Sequence, residues 1–157
     1  MKSSTKILVA VCLLALAACH TTKKTTSEKA STTAKKEVAE MNAKLIKRDW
    51  TLVQLSGFSK SDIAQLSNIP NLNIAETISG FGGCNRLMGG TYTLKGNTIT
   101  ISNIASTKKM CVGAGQKIET ALFSVLNNVK SYKMEGVGLI LYTNDKRTAE
   151  FIAYDKE

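Results

Sequence analysis

Residues 91–102 read TYTLKGNTITIS, and the architecture can be built outward from them. Tyr92 and Leu94 alternate with polar residues, Gly96-Asn97 supplies a turn, and Ile99 and Ile101 alternate again. Period-two alternation on both sides of a Gly-containing turn is the pattern of an antiparallel hairpin with one buried face. Residues 116–128 change the period. There Ile118, Leu122, Val125, Leu126 and Val129 fall on one face of a helix. Further strands flank this pair. Residues 49–56 (DWTLVQLS) alternate, and 72–78 form a second candidate. Residues 130–134, 139–143 and 148–154 follow the helix, broken by Gly136 and Gly138 and then by Asn144-Asp145. Residues 59–73 are polar, hold the sole proline, Pro70, and read as a loop with a short turn. Residues 80–90, GFGGCNRLMGG, read as a Gly-rich loop. The expectation is an α+β fold: a compact antiparallel, barrel-like sheet of about seven short strands, with one amphipathic helix over an opening or face.

The N-terminal segment reads differently. Lys2 and Lys6 precede an unbroken apolar run over residues 7–18, ILVAVCLLALAA. Twelve helical residues reach about 18 Å, against a hydrocarbon core of about 30 Å, so the run is too short to span. A basic start, a short apolar core and small residues make residues 1–18 a secretory signal peptide. The end of the run, Leu16-Ala17-Ala18-Cys19, is similar to a bacterial lipobox, with cleavage before Cys19 and lipidation of that thiol. His20 in place of Asp at the next position suggests sorting to the outer membrane of a Gram-negative host. Residues 19–47 are then a lipidated Cys and a flexible basic tether: 20–33 are low-complexity Thr, Ser and Lys, and 34–46 a short helix that ends it. All nine aromatics lie at Trp50 or later, which puts the folded domain at 48–157.

The net charge of +9 is unevenly spread. Residues 20–48 hold eight basic and three acidic residues, whereas 49–157 hold eleven basic and nine acidic ones. The excess sits beside the expected lipid, where it suits anionic head groups. A nucleic-acid-binding domain would carry its own basic excess, so no nucleic-acid partner is expected.

Few residues could carry chemistry. Cys12 leaves with the signal and Cys19 takes the lipid, which leaves Cys84 and Cys111 in an oxidising compartment. A structural disulfide is the leading reading, with two free thiols and a redox pair as alternatives. No C-x-x-C motif and no nearby His favours the redox pair. The only His, His20, precludes a His-dependent triad in the domain, and two Cys fall short of a zinc site. No metal and no cofactor is expected. The Gly-rich stretch lacks the last Gly of G-x-G-x-x-G, which is Asn85, and lacks a following GK[ST]. It reads either as close backbone packing or as a rim presenting Asn85 and Arg86 to an anion or peptide. Ser106 to Lys109 matches S-x-x-K, but a hydrolase of that kind needs further elements and a larger chain. Asp49, Asp62, Glu76 and Glu119 are available carboxylates with no catalytic spacing.

The order of certain residues resembles the META domain family. Trp50-Thr-Leu52 opens the match. Gly83-Cys84-Asn85-Arg86, Gly90-Thr-Tyr92, Ile104-Ala-Ser-Thr107, Met110-Cys111 and the helical Glu119 and Leu126 continue it. The resemblance spans about residues 48–155, and the polar segment 59–71 departs from it as an expansion. It implies a compact β-rich fold with one helix in small envelope or secreted proteins, often lipid-anchored and linked to heat or antibiotic stress. It transfers no catalytic set. The expected function is therefore a non-enzymatic, lipid-anchored envelope protein, monomeric, facing the periplasm. It would bind an envelope protein or cell-wall component through a rim of Asn85, Arg86, Thr107 and Lys108. The alternative is a small envelope enzyme, either a carboxylate hydrolase or a thiol-redox protein using Cys84 and Cys111.

Overall fold

Alternating strands leave one apolar face each, and here those faces are turned inward around a closed wall. The computed structural model describes residues 25–46 and 48–153. Its strands are β1 (Arg48–Leu55), β2 (Asn71–Ile74), β3 (Ile78–Phe81), β4 (Arg86–Lys95), β5 (Thr98–Ser102), β6 (Ala105–Ser106), β7 (Ser131–Glu135), β8 (Gly138–Thr143) and β9 (Lys146–Ala153). They are antiparallel in the order β3-β2-β1-β9-β8-β7-β5-β4-β6, and β3 also pairs with β4. That last pairing closes eight strands into a barrel and leaves the two-residue β6 outside, on β4. Closure removes the free edges of an open sheet. The narrowest seam is β5–β7, where Thr98 opposes Ser131. The Ile99 and Tyr132 amides extend it by donating to the Lys130 and Asn97 carbonyls at 3.1 and 2.9 Å.

The expected α+β, barrel-like fold is present. The hairpin read from 91–102 is β4–β5, with Tyr92 opposite Ile101 and Leu94 opposite Ile99. Gly96 at its turn takes φ +64°, and Asn144 and Asp145 between β8 and β9 take +49° and +61°. These are the left-handed values that a tight two-residue turn requires. The expected helix is α3 (Ala114–Asn128), which packs against β1, β5, β8 and β9. Its Ile118, Leu122 and Leu126 join Trp50, Leu52, Leu72, Tyr132, Leu139 and Phe151 in one core. Each such side chain contributes about 1.5–3 kcal/mol on leaving water.

Four details differ from the sequence reading. Nine strands are found among the described residues, two of them beyond the roughly seven expected. The Gly-rich loop shrinks to residues 82–85, because its flanks are β3 and β4. Gly80 is what allows this: a Cβ there would stand 2.0 Å from the Asn71 carbonyl oxygen of β2. The polar segment 59–73 contains the short helix α2 (Lys60–Ala64). Ser59 caps it, accepting from the Asp62 amide while the Asp62 carboxylate accepts from the Ser59 amide.

The tether region differs most. Residues 25–45 form one helix, α1 (Thr25–Leu45), instead of a linker to residue 33 and a short helix after it. Its last turns are part of the barrel. Leu45 is fully buried, Met41 packs on the core, and the Leu45 carbonyl accepts the Trp50 indole N–H at 3.0 Å. Tyr132 donates its hydroxyl to the Asn42 side chain. A helix nucleated by such packing extends cheaply through Ala, Glu and Lys residues. The domain thus begins before Arg48. Among the described residues no helix is long and apolar enough to cross a membrane. The expected signal peptide, Cys19 and His20 lie outside the described residues.

Candidate functional site

The 82–85 turn joins β3 to β4 and rests on the first turns of α3. Gly83 and Gly115 make this approach possible, since a Cβ on Gly115 would meet the Gly83 carbonyl oxygen at 2.5 Å. The approach places the turn's backbone amides over Glu119. Glu119 Oε2 accepts from the Cys84 amide at 3.0 Å and from the Asn85 amide. Glu119 Oε1 accepts from Asn85 Nδ2 at 2.8 Å. A buried carboxylate is tolerable only with donors on both oxygens, and these backbone and carboxamide donors provide them.

Asn85 carries the arrangement further. Its Oδ1 accepts from the Thr107 hydroxyl at 2.9 Å and the Lys109 amide at 2.6 Å. Its Nδ2 also approaches Cys84 Sγ and the Lys109 carbonyl, at 3.3 and 3.4 Å. Thr107 in turn accepts from the Arg86 amide at 3.1 Å and donates its own amide to the Arg86 carbonyl at 3.1 Å. Cys84 and Cys111 are joined as a disulfide, with Cα atoms 6.0 Å apart. Of the readings left open for this pair, two free thiols are therefore not the form described. Asn85 and Glu119 are the two polar or charged residues found buried among the described ones, and they bond to each other. No buried side-chain nitrogen or oxygen among the described residues lacks a partner.

Above this brace, the outer wall of the barrel carries an open groove of about 720 Å³. Its floor is a cross-strand row: Asn71 on β2 opposes Phe81 on β3, and Phe81 opposes Arg86 on β4. Thr107 continues the row through its bonds to Arg86. Ile69, Leu87 and Met88 add apolar surface, and Lys109 a second cation; among the described residues no carboxylate lines it. The near-neutral sum of the domain conceals a polarity that matches. Residues 77–118 contain Arg86, Lys95, Lys108, Lys109 and Lys117 and no acidic residue at all.

The residues expected at a rim are brought together, but in different roles. Arg86 is exposed and lines the groove. Thr107 is half-buried and lines it with its hydroxyl committed to Asn85. Lys108 is exposed just outside it, while the neighbouring Lys109 takes the lining position. Asn85 is the correction. It lies beneath the rim, 4% exposed, because its carboxamide is consumed in bracing three segments. In sequence Glu119 reads as one of several available carboxylates and, within the resemblance, as a helical motif residue without an assigned role. Its position beside Ile118 and three residues before Leu122 places it on the helix's buried stripe, and that was the available signal. The other carboxylates are dispersed. Asp49 accepts from Asn73 Nδ2 at 2.7 Å, Asp62 caps α2, and Glu76 sits between β2 and β3. Among the described residues no three His, Cys, Asp or Glu cluster as a metal site would need.

The convergence of Cys84, Asn85, Thr107, Cys111 and Glu119 gives the resemblance a structural basis, and a family model described as META domain matches residues 43–156. The chain belongs to the META domain family. The match starts inside α1, in agreement with Leu45 being part of the core. None of the curated proteins matches the chain. Solved structures share the META domain's fold. A protein from Burkholderia xenovorans determined by NMR is 24% identical with a TM-score of 0.59, over 76% of this chain and 89% of that one. A DUF4847 family protein from Bacteroides vulgatus is 18% identical with a TM-score of 0.51, over 72% of this chain and 96% of that one.

Proposed function

We propose that this META domain is a non-enzymatic binding module of a lipid-anchored bacterial envelope protein, sorted to the outer membrane and contributing to tolerance of heat or antibiotic stress. It binds an envelope protein or cell-wall component in the groove over Asn71, Phe81 and Arg86. The observation that carries this reading is the groove's composition: Arg86 and Lys109 over an apolar floor, with no carboxylate among the described lining residues. Such a surface suits a ligand with an anionic group beside apolar matter. The non-enzymatic part rests on the motif residues themselves, since Asn85 and Glu119 spend their polar atoms on each other, on the Thr107 hydroxyl and on backbone groups.

The test is a photoreactive residue in place of Met88, on the groove wall, in intact cells. One recurring envelope partner, lost on Arg86→Glu, is the expected result. A cross-linking pattern unchanged by Arg86→Glu would overturn the groove as the binding surface.

A further inference from the structure

Four of the five large apolar side chains exposed among the described residues lie on one side of the molecule: Ile69 and Met88 in the groove, Met110 and Val112 beside it. The last two differ in kind from the first two. Ile69 and Met88 are 38% and 44% exposed, as groove walls are, whereas Met110 and Val112 are 100% and 101% exposed. They project. The backbone that carries them is anchored on both sides of Met110: Cys111 is tied inward to Cys84, and the Lys109 amide is held on Asn85. Lys108 and Lys109, both exposed, immediately precede them, within the stretch 77–118 that has five cations and no acid.

We propose that the loop 107–113 docks the domain on an anionic lipid surface. Met110 and Val112 enter the head-group region, and Lys108 and Lys109 meet lipid phosphates. A projecting apolar tip on an anchored loop, with cations at its base, is complementary to a bilayer interface rather than to a concave ligand. The charge pattern selects an anionic surface over a neutral one. This contact shares Lys109 with the groove, whereas Lys108, Met110 and Val112 lie outside the groove lining; it is distinct from any lipid on Cys19.

The test uses the full chain carrying Val112→Trp and vesicles of phosphatidylcholine with or without phosphatidylglycerol. Trp50 is fully buried and contributes a constant background. The expected result is a blue shift of the introduced indole, and its quenching by brominated lipid, on the phosphatidylglycerol vesicles only. Adding Lys108→Gln and Lys109→Gln should weaken the response at least tenfold. The basic segment 20–48 can itself hold the chain on anionic vesicles, so binding without an indole shift overturns the proposal. An equal shift on phosphatidylcholine alone, or one indifferent to the two lysine changes, overturns the role of charge.

Discussion

Asn85 and Glu119, 34 residues apart, face each other in the interior of the META domain, the carboxamide donating to the carboxylate at 2.8 Å. The pair fixes the 82–85 turn to α3 and, through Asn85 Oδ1, fixes both to residues 107–109. Groove and loop are therefore built on one buried junction. Glu119→Gln turns an amide nitrogen toward groups that are already donors. It is expected to cost about 1–3 kcal/mol, and Glu119→Ala about 3 kcal/mol or more, since two backbone amides then lose their acceptor. Urea unfolding of the two variants, with equal m-values, measures this.

Asn85→Ala removes the anchor of residues 107–109 while the disulfide remains. A loss of about 2–3 kcal/mol is expected from three unsatisfied groups. Amide exchange at Lys109, whose N–H is bonded to Asn85, should accelerate more than exchange in β8. Uniform acceleration across the barrel would mean that Asn85 stabilises the fold without positioning the loop.

The Cys84–Cys111 bridge closes a loop with a sequence separation of 27. In the chain-entropy model this is worth about 3.5 kcal/mol. Cys111→Ser should lower unfolding stability by up to about that amount. Reductant should then shift the wild-type midpoint toward the variant's and leave the variant unmoved.

Gly80 faces the Asn71 carbonyl at a distance no Cβ can occupy, with φ +151°. Gly80→Ala is expected to cost about 3 kcal/mol or more and to open the β2–β3 pairing. Gly57 is the control: it has φ +87° but nothing within 4 Å, so Gly57→Ala carries the backbone strain alone and should cost about 1 kcal/mol.

Tyr132 links the barrel to α1 by donating to Asn42, and burial pushes its hydroxyl above the ordinary value of 10.0. A raised pKa in the folded state means that folding favours the neutral phenol. The stabilisation is fully present below about pH 10 and is lost as pH rises through the folded value. Tyr132→Phe should cost about 1 kcal/mol at pH 7 and flatten the alkaline fall in stability. A wild-type and a variant alkaline profile of the same slope would refute this linkage.

Local period was enough to identify the β4–β5 hairpin, α3, β1 and the strands after α3, because each element has side chains on the buried face to display its repeat. From these an α+β barrel followed, and the motif residues pointed to one family. β3 stayed hidden because it is only four residues long and Gly80 within it has no side chain with which to alternate. The N-terminal half of α1 stayed hidden because Thr, Ser and Lys show no apolar repeat. Its helicity comes from an end anchored by Leu45 and Trp50. What only the closed barrel decided is how distant positions serve one another. Asn85 looks like a rim residue and Glu119 like a surface acid until β3–β4 closure lays the turn on α3. Burial then makes each the other's necessary partner, since neither could leave water without it.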